Sequence, residues 1–276
     1  MAICSNTRSG STSGALAPLW HPVLVTSPLP TARRTRLAWE IGIVLALSLG
    51  QSALYSVLSL VRALLRPDPL SDQSTALNPP RADEAVWDAI YRVLDVGFDL
   101  ALVGLVVYLL WEPGRSALRR IGLDLSRPGR DAGLAVALLV AIGVPGLALY
   151  AGSRLLGLTV QVQAAELDSA WWTIPLLLLS AARAGLLEEV ILNGYLGERL
   201  RELGWRPWTT ILAIALLRGA YHAYQGPAMA LGNVAMGVVF AWVYLRWRRV
   251  MPLVVAHTLI DVIAFVGYPL AAPYLP

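Results

Sequence analysis

Seven apolar runs, at about 38–64, 91–112, 131–151, 170–196, 208–225, 227–246 and 250–270, alternate with polar, arginine-bearing stretches. Several approach or exceed the ~20 residues that a helix needs to cross ~30 Å of hydrocarbon. The pattern predicts an all-α protein, a polytopic transmembrane helical bundle of about seven spans. Composition agrees, with 57% apolar and only 14% charged residues and a mean hydropathy of +0.59. A soluble domain carries about 25% charge, so most of this chain is not solvated surface.

The arginines between the runs orient the bundle. Arg33, Arg34 and Arg36 precede the first run, and Arg115, Arg119, Arg120, Arg127 and Arg130 follow the second. Arg199, Arg201 and Arg206 follow the fourth, and Arg246, Arg248 and Arg249 the sixth. By the positive-inside rule these flanks are cytoplasmic, which puts the N-terminus inside and the C-terminus outside. The partition is a disordered cytoplasmic tail at 1–36, N-terminal helices at 37–169, core helices at 170–270 and a short tail at 271–276. Loop 65–90 holds Pro67, Pro69, Pro79 and Pro80 and is expected to be irregular, with a short amphipathic helix from Asp83. The net charge of +4 is spread over loops and marks topology, not a nucleic-acid partner. One cysteine, Cys4, excludes an intramolecular disulfide and argues against a thiolate metal site. All 22 basic residues are arginine, a usage that fits a GC-rich bacterial genome.

Against this apolar background, a few ionisable residues stand where charge is costly. A charged side chain near mid-bilayer costs roughly 2.5–3.5 kcal/mol on insertion scales. Glu188 and Glu189 adjoin one another in LLEEVIL, with Arg183 five residues before the first. Arg218 and His222 lie in the fifth run, and His257 and Asp261 in the seventh. Such groups pair, neutralise or line a wet cavity. The fourth and fifth runs form a hairpin that turns near Gly204 to Pro207. Glu189 lies about 16 residues before that turn and His222 about 16 after it, so at ~1.5 Å per residue both sit ~25 Å from it, at one height. His257 and Asp261 are i,i+4 neighbours, a spacing at which the carboxylate can fix the imidazole tautomer. Arg183 and Arg218 are candidates to neutralise the carboxylates or to bind a substrate carboxylate. Asn233 is a candidate polar contact between helices.

Three stretches in the last hundred residues, LLEEVILNGYLGERL, LRGAYHAYQG and VVAHTLIDVIAF, resemble the CPBP family. It comprises the CAAX prenyl endopeptidases and bacterial relatives linked to bacteriocin processing, self-immunity or abortive infection. The family pattern is a Glu-Glu pair with an Arg four residues after the second Glu, then a Phe with a His four residues later. It ends on a His followed four residues later by Asn or Asp. The matching positions are Glu188–Glu189, His222, and His257 with Asp261; the resemblance spans roughly 170–268. Asn193 stands where the family has Arg, and Arg218 where it has Phe, so Arg218 is a candidate to supply the missing guanidinium from the neighbouring helix.

The resemblance implies an intramembrane endopeptidase in the cell membrane, acting on a membrane-associated protein or peptide within the lipid bilayer. Glu188 is then the general base for water, and Glu189 orients that water or shares its proton. His222 and His257 donate to the oxyanion, and Asp261 holds His257. Asn193 and Arg218 support the site. No cofactor is favoured. In a zinc version, Glu188, His222 and His257 would bind the metal. Two other classes stay open: a non-catalytic scaffold or immunity protein holding a peptide or partner in the same cavity, and a proton-coupled transporter. The absence of an internal inverted repeat argues against the transporter.

Overall fold

The computed structural model describes residues 29–163 and 170–271. The first run is helix α1 (Thr31–Ala46) followed by α2 (Leu49–Leu64), bent by 53°. The break falls at Ser48, which leaves helical geometry and whose hydroxyl donates back to the Val44 carbonyl at 2.6 Å. Helix α1 starts inside the stretch expected to be a tail, and residues 1–28 lie outside the described part, as do 272–276.

Helix α3 (Ala85–Leu110) fills the second run, the short α4 (Ala117–Ile121) follows it, and α5 (Pro128–Leu155) fills the third. At ~1.5 Å per residue α3 and α5 are each about 40 Å long, enough to cross a bilayer with tilt. Both present large apolar side chains outward, among them Leu94, Phe98, Val140 and Leu147. Between α2 and α3 the loop forms strand β1 (Ser74–Ala76), which pairs in parallel with β2 (Gln161–Gln163). The expectation of an irregular loop missed this small sheet, and the helix expected from Asp83 is simply the start of α3.

The fourth run is α6 (Thr173–Glu189), a π-helical stretch Val190–Leu196, and α7 (Gly197–Glu202), continuous in sequence. Helix α8 (Pro207–Tyr221) returns and ends in a 3₁₀ turn at Ala223–Gln225. Then follow α9 (Pro227–Trp247), α10 (Met251–Val262), a second π-helical stretch Ile263–Gly267, and α11 (Tyr268–Ala271).

Among the described residues, four helical stretches are long and apolar enough to cross a membrane: α3, α5, α9 and the last, Met251–Leu270. The bent pair α1–α2 brings the number to five. The two expected spans that do not qualify are α6 and α8, whose apolar runs are shortened or interrupted by Arg183, Glu188, Glu189 and Arg218. The protein is an all-α membrane bundle in which the helices bearing charge are packed against other helices.

That packing is close because small residues sit at the crossings. A Cβ added at Gly185 would come within 2.7 Å of Thr258 Oγ1 and 3.0 Å of the Val254 carbonyl, which brings the α6 and α10 backbones together. Gly219 stands in the same way against the Ala230 carbonyl, and Gly237 against Ala215, joining α8 to α9. Lipid tails are as apolar as leucine, so such helices associate through close packing and interhelical hydrogen bonds. The core they enclose contains Val190, Ile191, Leu192, Tyr195, Ile211, Ile214, Phe240, Tyr244 and Leu253. It also contains Glu189, Asn193 and Arg218, all fully buried.

Candidate active site

The site is assembled by α6, α8 and α10. Because successive residues on a helix point ~100° apart, Glu188 and Glu189 leave α6 in different directions and acquire different surroundings. Glu189 is fully buried and held by three partners. Its Oε1 receives the Arg218 guanidinium and lies 2.8 Å from His257 Nδ1, while its Oε2 accepts from Asn193 Nδ2 at 2.6 Å. The carboxylate has no exposed surface.

Glu188 is the freer partner. Its Oε2 accepts from the Tyr221 hydroxyl, lies 3.8 Å from Arg218 Nη1, and faces the Nε2 atoms of His222 and His257, each at 3.9 Å. Its side chain keeps 14% exposure and that of His222 19%, against none for Glu189 and Arg218. Neither ring nitrogen of His222 has a hydrogen-bond partner among the described residues. Buried polar groups in native structures are nearly all bonded, so an imidazole left free beside a carboxylate has the arrangement of a group awaiting a ligand.

His222, expected level with Glu189, lies 3.9 Å from the neighbouring Glu188, and it caps α8 instead of lying within it. Arg218 does reach the glutamates from the neighbouring helix, its guanidinium 5.4 Å over the Phe240 ring. Three expectations need correction. The hydrogen bond that orients His257 is with Glu189 at Nδ1; Asp261, expected in that role, stands with its Oδ2 3.6 Å from Nε2, within ion-pair range but beyond hydrogen-bond range. Arg183 takes no part in the site, because its Nη1 pairs with Asp99 of α3 at 2.9 Å. Asn233 donates to the Met229 carbonyl of its own helix at 3.0 Å, and among the described residues it makes no side-chain hydrogen bond to another helix.

Two contributors were missed. Tyr221 is one, and its signal was a hydroxyl one helical turn beyond Arg218 and adjacent to His222. The other is the π-helical stretch directly after the glutamates. Such bulges occur mostly at functional sites, and periodicity along a sequence does not reveal them.

A zinc ion bound by Glu188, His222 and His257 would need its ligand atoms about 3.4 Å apart, given metal–ligand distances near 2.1 Å in a tetrahedron. The carboxylate-to-imidazole separations are 3.9 Å, and the same Glu188 oxygen is engaged by Tyr221. Among the described residues no group of three or more His, Cys, Asp or Glu is spaced to hold a metal. The side chains as arranged do not form a ready zinc site.

A helical membrane bundle that buries paired carboxylates against two histidines, with one carboxylate still accessible, has the equipment of an intramembrane hydrolase. Residues 170–263 match the family model described as Type II CAAX prenyl endopeptidase Rce1-like. That stretch, about a third of the chain, is thus similar to the CAAX-protease family of peptidases. No curated protein and no solved structure matches the chain.

Proposed function

We propose that the protein hydrolyses a peptide bond in a membrane-associated protein or peptide of the cell membrane, with water activated by Glu188. The observation that carries this reading is the asymmetry of the glutamates: one is sealed and held by three partners, while the other keeps 14% side-chain exposure and faces two imidazole nitrogens at 3.9 Å, beyond direct hydrogen-bond range. Glu188 takes a proton from that water as its oxygen adds to the carbonyl carbon. The same proton passes to the leaving nitrogen when the tetrahedral intermediate collapses.

The two histidines differ in what they can offer. Glu189, paired with Arg218, accepts from His257 Nδ1–H. A neutral His257 therefore presents a lone pair at Nε2, and it donates there only when protonated. His222 has both nitrogens uncommitted and can donate from Nε2 in its neutral form. His222 is thus the better oxyanion donor, while His257 accepts from the attacking water or steadies Glu188. Tyr221 holds the Glu188 carboxylate in place, and Arg218 with Asn193 holds Glu189.

The test compares membrane-protein termini in cells expressing wild type or Glu188→Gln at matched levels. New termini produced only by the wild type establish proteolysis and identify the cleaved sequence. Equal profiles from two folded, abundant proteins favour a scaffold that binds a peptide in the same cavity. Cleavage abolished by a zinc chelator and restored by zinc would overturn the metal-free chemistry and leave the proteolysis standing.

A further inference from the structure

At the end of the bundle where α3 and α9 finish lies a cavity of about 560 Å³, none of whose lining residues belongs to the glutamate–histidine site. Its lining includes Arg115, Arg119, Arg120, Arg201 and Arg248, against two carboxylates, Glu112 and Glu198. Both carboxylates are already engaged. Glu198 is fully buried and accepts from Arg120 Nε at 3.3 Å, Arg201 Nη2 at 2.7 Å and the Tyr244 hydroxyl at 2.8 Å, and it also pairs with Arg248. Glu112 accepts from Arg120 Nη1 at 3.0 Å and stands 4.0 Å from Arg115.

Donor capacity remains after those bonds are made. Arg201 Nε and Arg248 Nη1 are buried without a hydrogen-bond partner, and Arg119 has no carboxylate within ion-pair range among the described residues. A buried, unsatisfied guanidinium N–H costs the full desolvation of that group. A cavity lined by five arginines and two carboxylates that are both already engaged is therefore complementary to an anion with several acceptor oxygens. Planar guanidinium forks match phosphate oxygens especially well.

The surroundings place the cavity at headgroup depth. Trp111, Trp205 and Trp247, all substantially exposed, stand at this end of the helices. Tryptophan concentrates at the membrane–water interface, and basic pockets between helix ends take anionic headgroups there. We infer that this cavity is a second binding site, for a phosphate group carried by an anionic phospholipid headgroup or free in solution.

The test uses the full chain purified in detergent, with Arg115→Gln/Arg119→Gln as the variant. Both residues are exposed, so neither substitution disturbs the core. A charge-matched control, Arg62→Gln/Arg66→Gln, lies in a different cavity. Binding of phosphatidylglycerol, phosphatidylcholine and inorganic phosphate is measured by native mass spectrometry and by thermal melting. Wild type and control should retain phosphatidylglycerol over phosphatidylcholine, and the variant should lose roughly 30-fold in affinity, from two arginines at an anionic surface. If inorganic phosphate binds the wild type and not the variant while the two lipids are indistinguishable, the site holds and its ligand is free phosphate. Equal binding by wild type and variant, or an equal loss in the control, overturns the inference.

Discussion

Arg218 is the side chain whose removal tests the site's construction most directly. Its guanidinium is fully buried, and it is the cation in contact with Glu189, whose remaining partners are Asn193 and His257. Arg218→Phe installs the residue found here in the family pattern, beside Phe240, but strands a buried carboxylate. Breaking a buried ion pair from one side costs about 3–5 kcal/mol. At ~2–4 °C per kcal/mol for a chain of this size, Tm should fall by roughly 6–20 °C. Adding Asn193→Arg returns a guanidinium from the π-helical stretch after α6, about one turn beyond Glu189 and at a position whose own Oδ1 has no partner among the described residues. Overpacking at that buried position costs about 1–3 kcal/mol, so the double variant should recover about half of the loss. The assay is thermal melting in detergent, followed by cleavage of whatever substrate the terminus comparison identifies. A single variant that melts within 2 °C of wild type (about 1 kcal/mol), or a double variant no better than the single, would refute the view that a guanidinium neutralises Glu189.

The other predictions separate chemistry from scaffolding. Glu188→Gln should reduce cleavage about 10²–10⁴-fold with a small change in Tm, and His222→Ala about 10²–10³-fold with as little effect on stability, because neither His222 nitrogen holds a bond. By contrast, His257→Ala should lower both cleavage and Tm, since it also removes a partner of Glu189; equal melting losses at the two histidines would count against this division. Gly185→Ala drives a methyl into Thr258 and the Val254 carbonyl and should destabilise the α6–α10 crossing by about 1–3 kcal/mol, read by thermal melting. Outside the membrane, two Ser126 hydrogen bonds, with help from Arg249, hold the Asp124 carboxyl down at about 2, below its ordinary 3.8. Its contribution is complete above about pH 4 and is lost as pH falls towards 2. Proteolysis of loop 113–130 should therefore accelerate across that window in the wild type, and in Asp124→Asn it should be fast at every pH.

The sequence alone determined the class of protein and the height of its chemistry. Apolar run length is a one-dimensional quantity set against a fixed bilayer thickness, and helical rise is constant, so counting from the 204–207 turn sufficed to put Glu189, with Glu188 in the same helical turn, near the level of His222. The Arg218 departure was likewise legible as a cation near the glutamates, because a mid-membrane arginine needs a partner and few carboxylates were within reach.

What only the tertiary structure decided was direction around each helix axis. Adjacent glutamates differ by ~100° of rotation, so whether Glu188 or Glu189 faces the cavity depends on which surface of α6 meets α8 and α10. The same rotation gave His257 to Glu189 across a helix boundary, although Asp261 was the nearer residue in sequence. It also sent Arg183 to Asp99 on α3. Spacing along one helix shows which side chains share a face; the partner across an interface is chosen by the glycine-lined crossings at Gly185, Gly219 and Gly237, because close backbone approach fixes which side chains can reach one another.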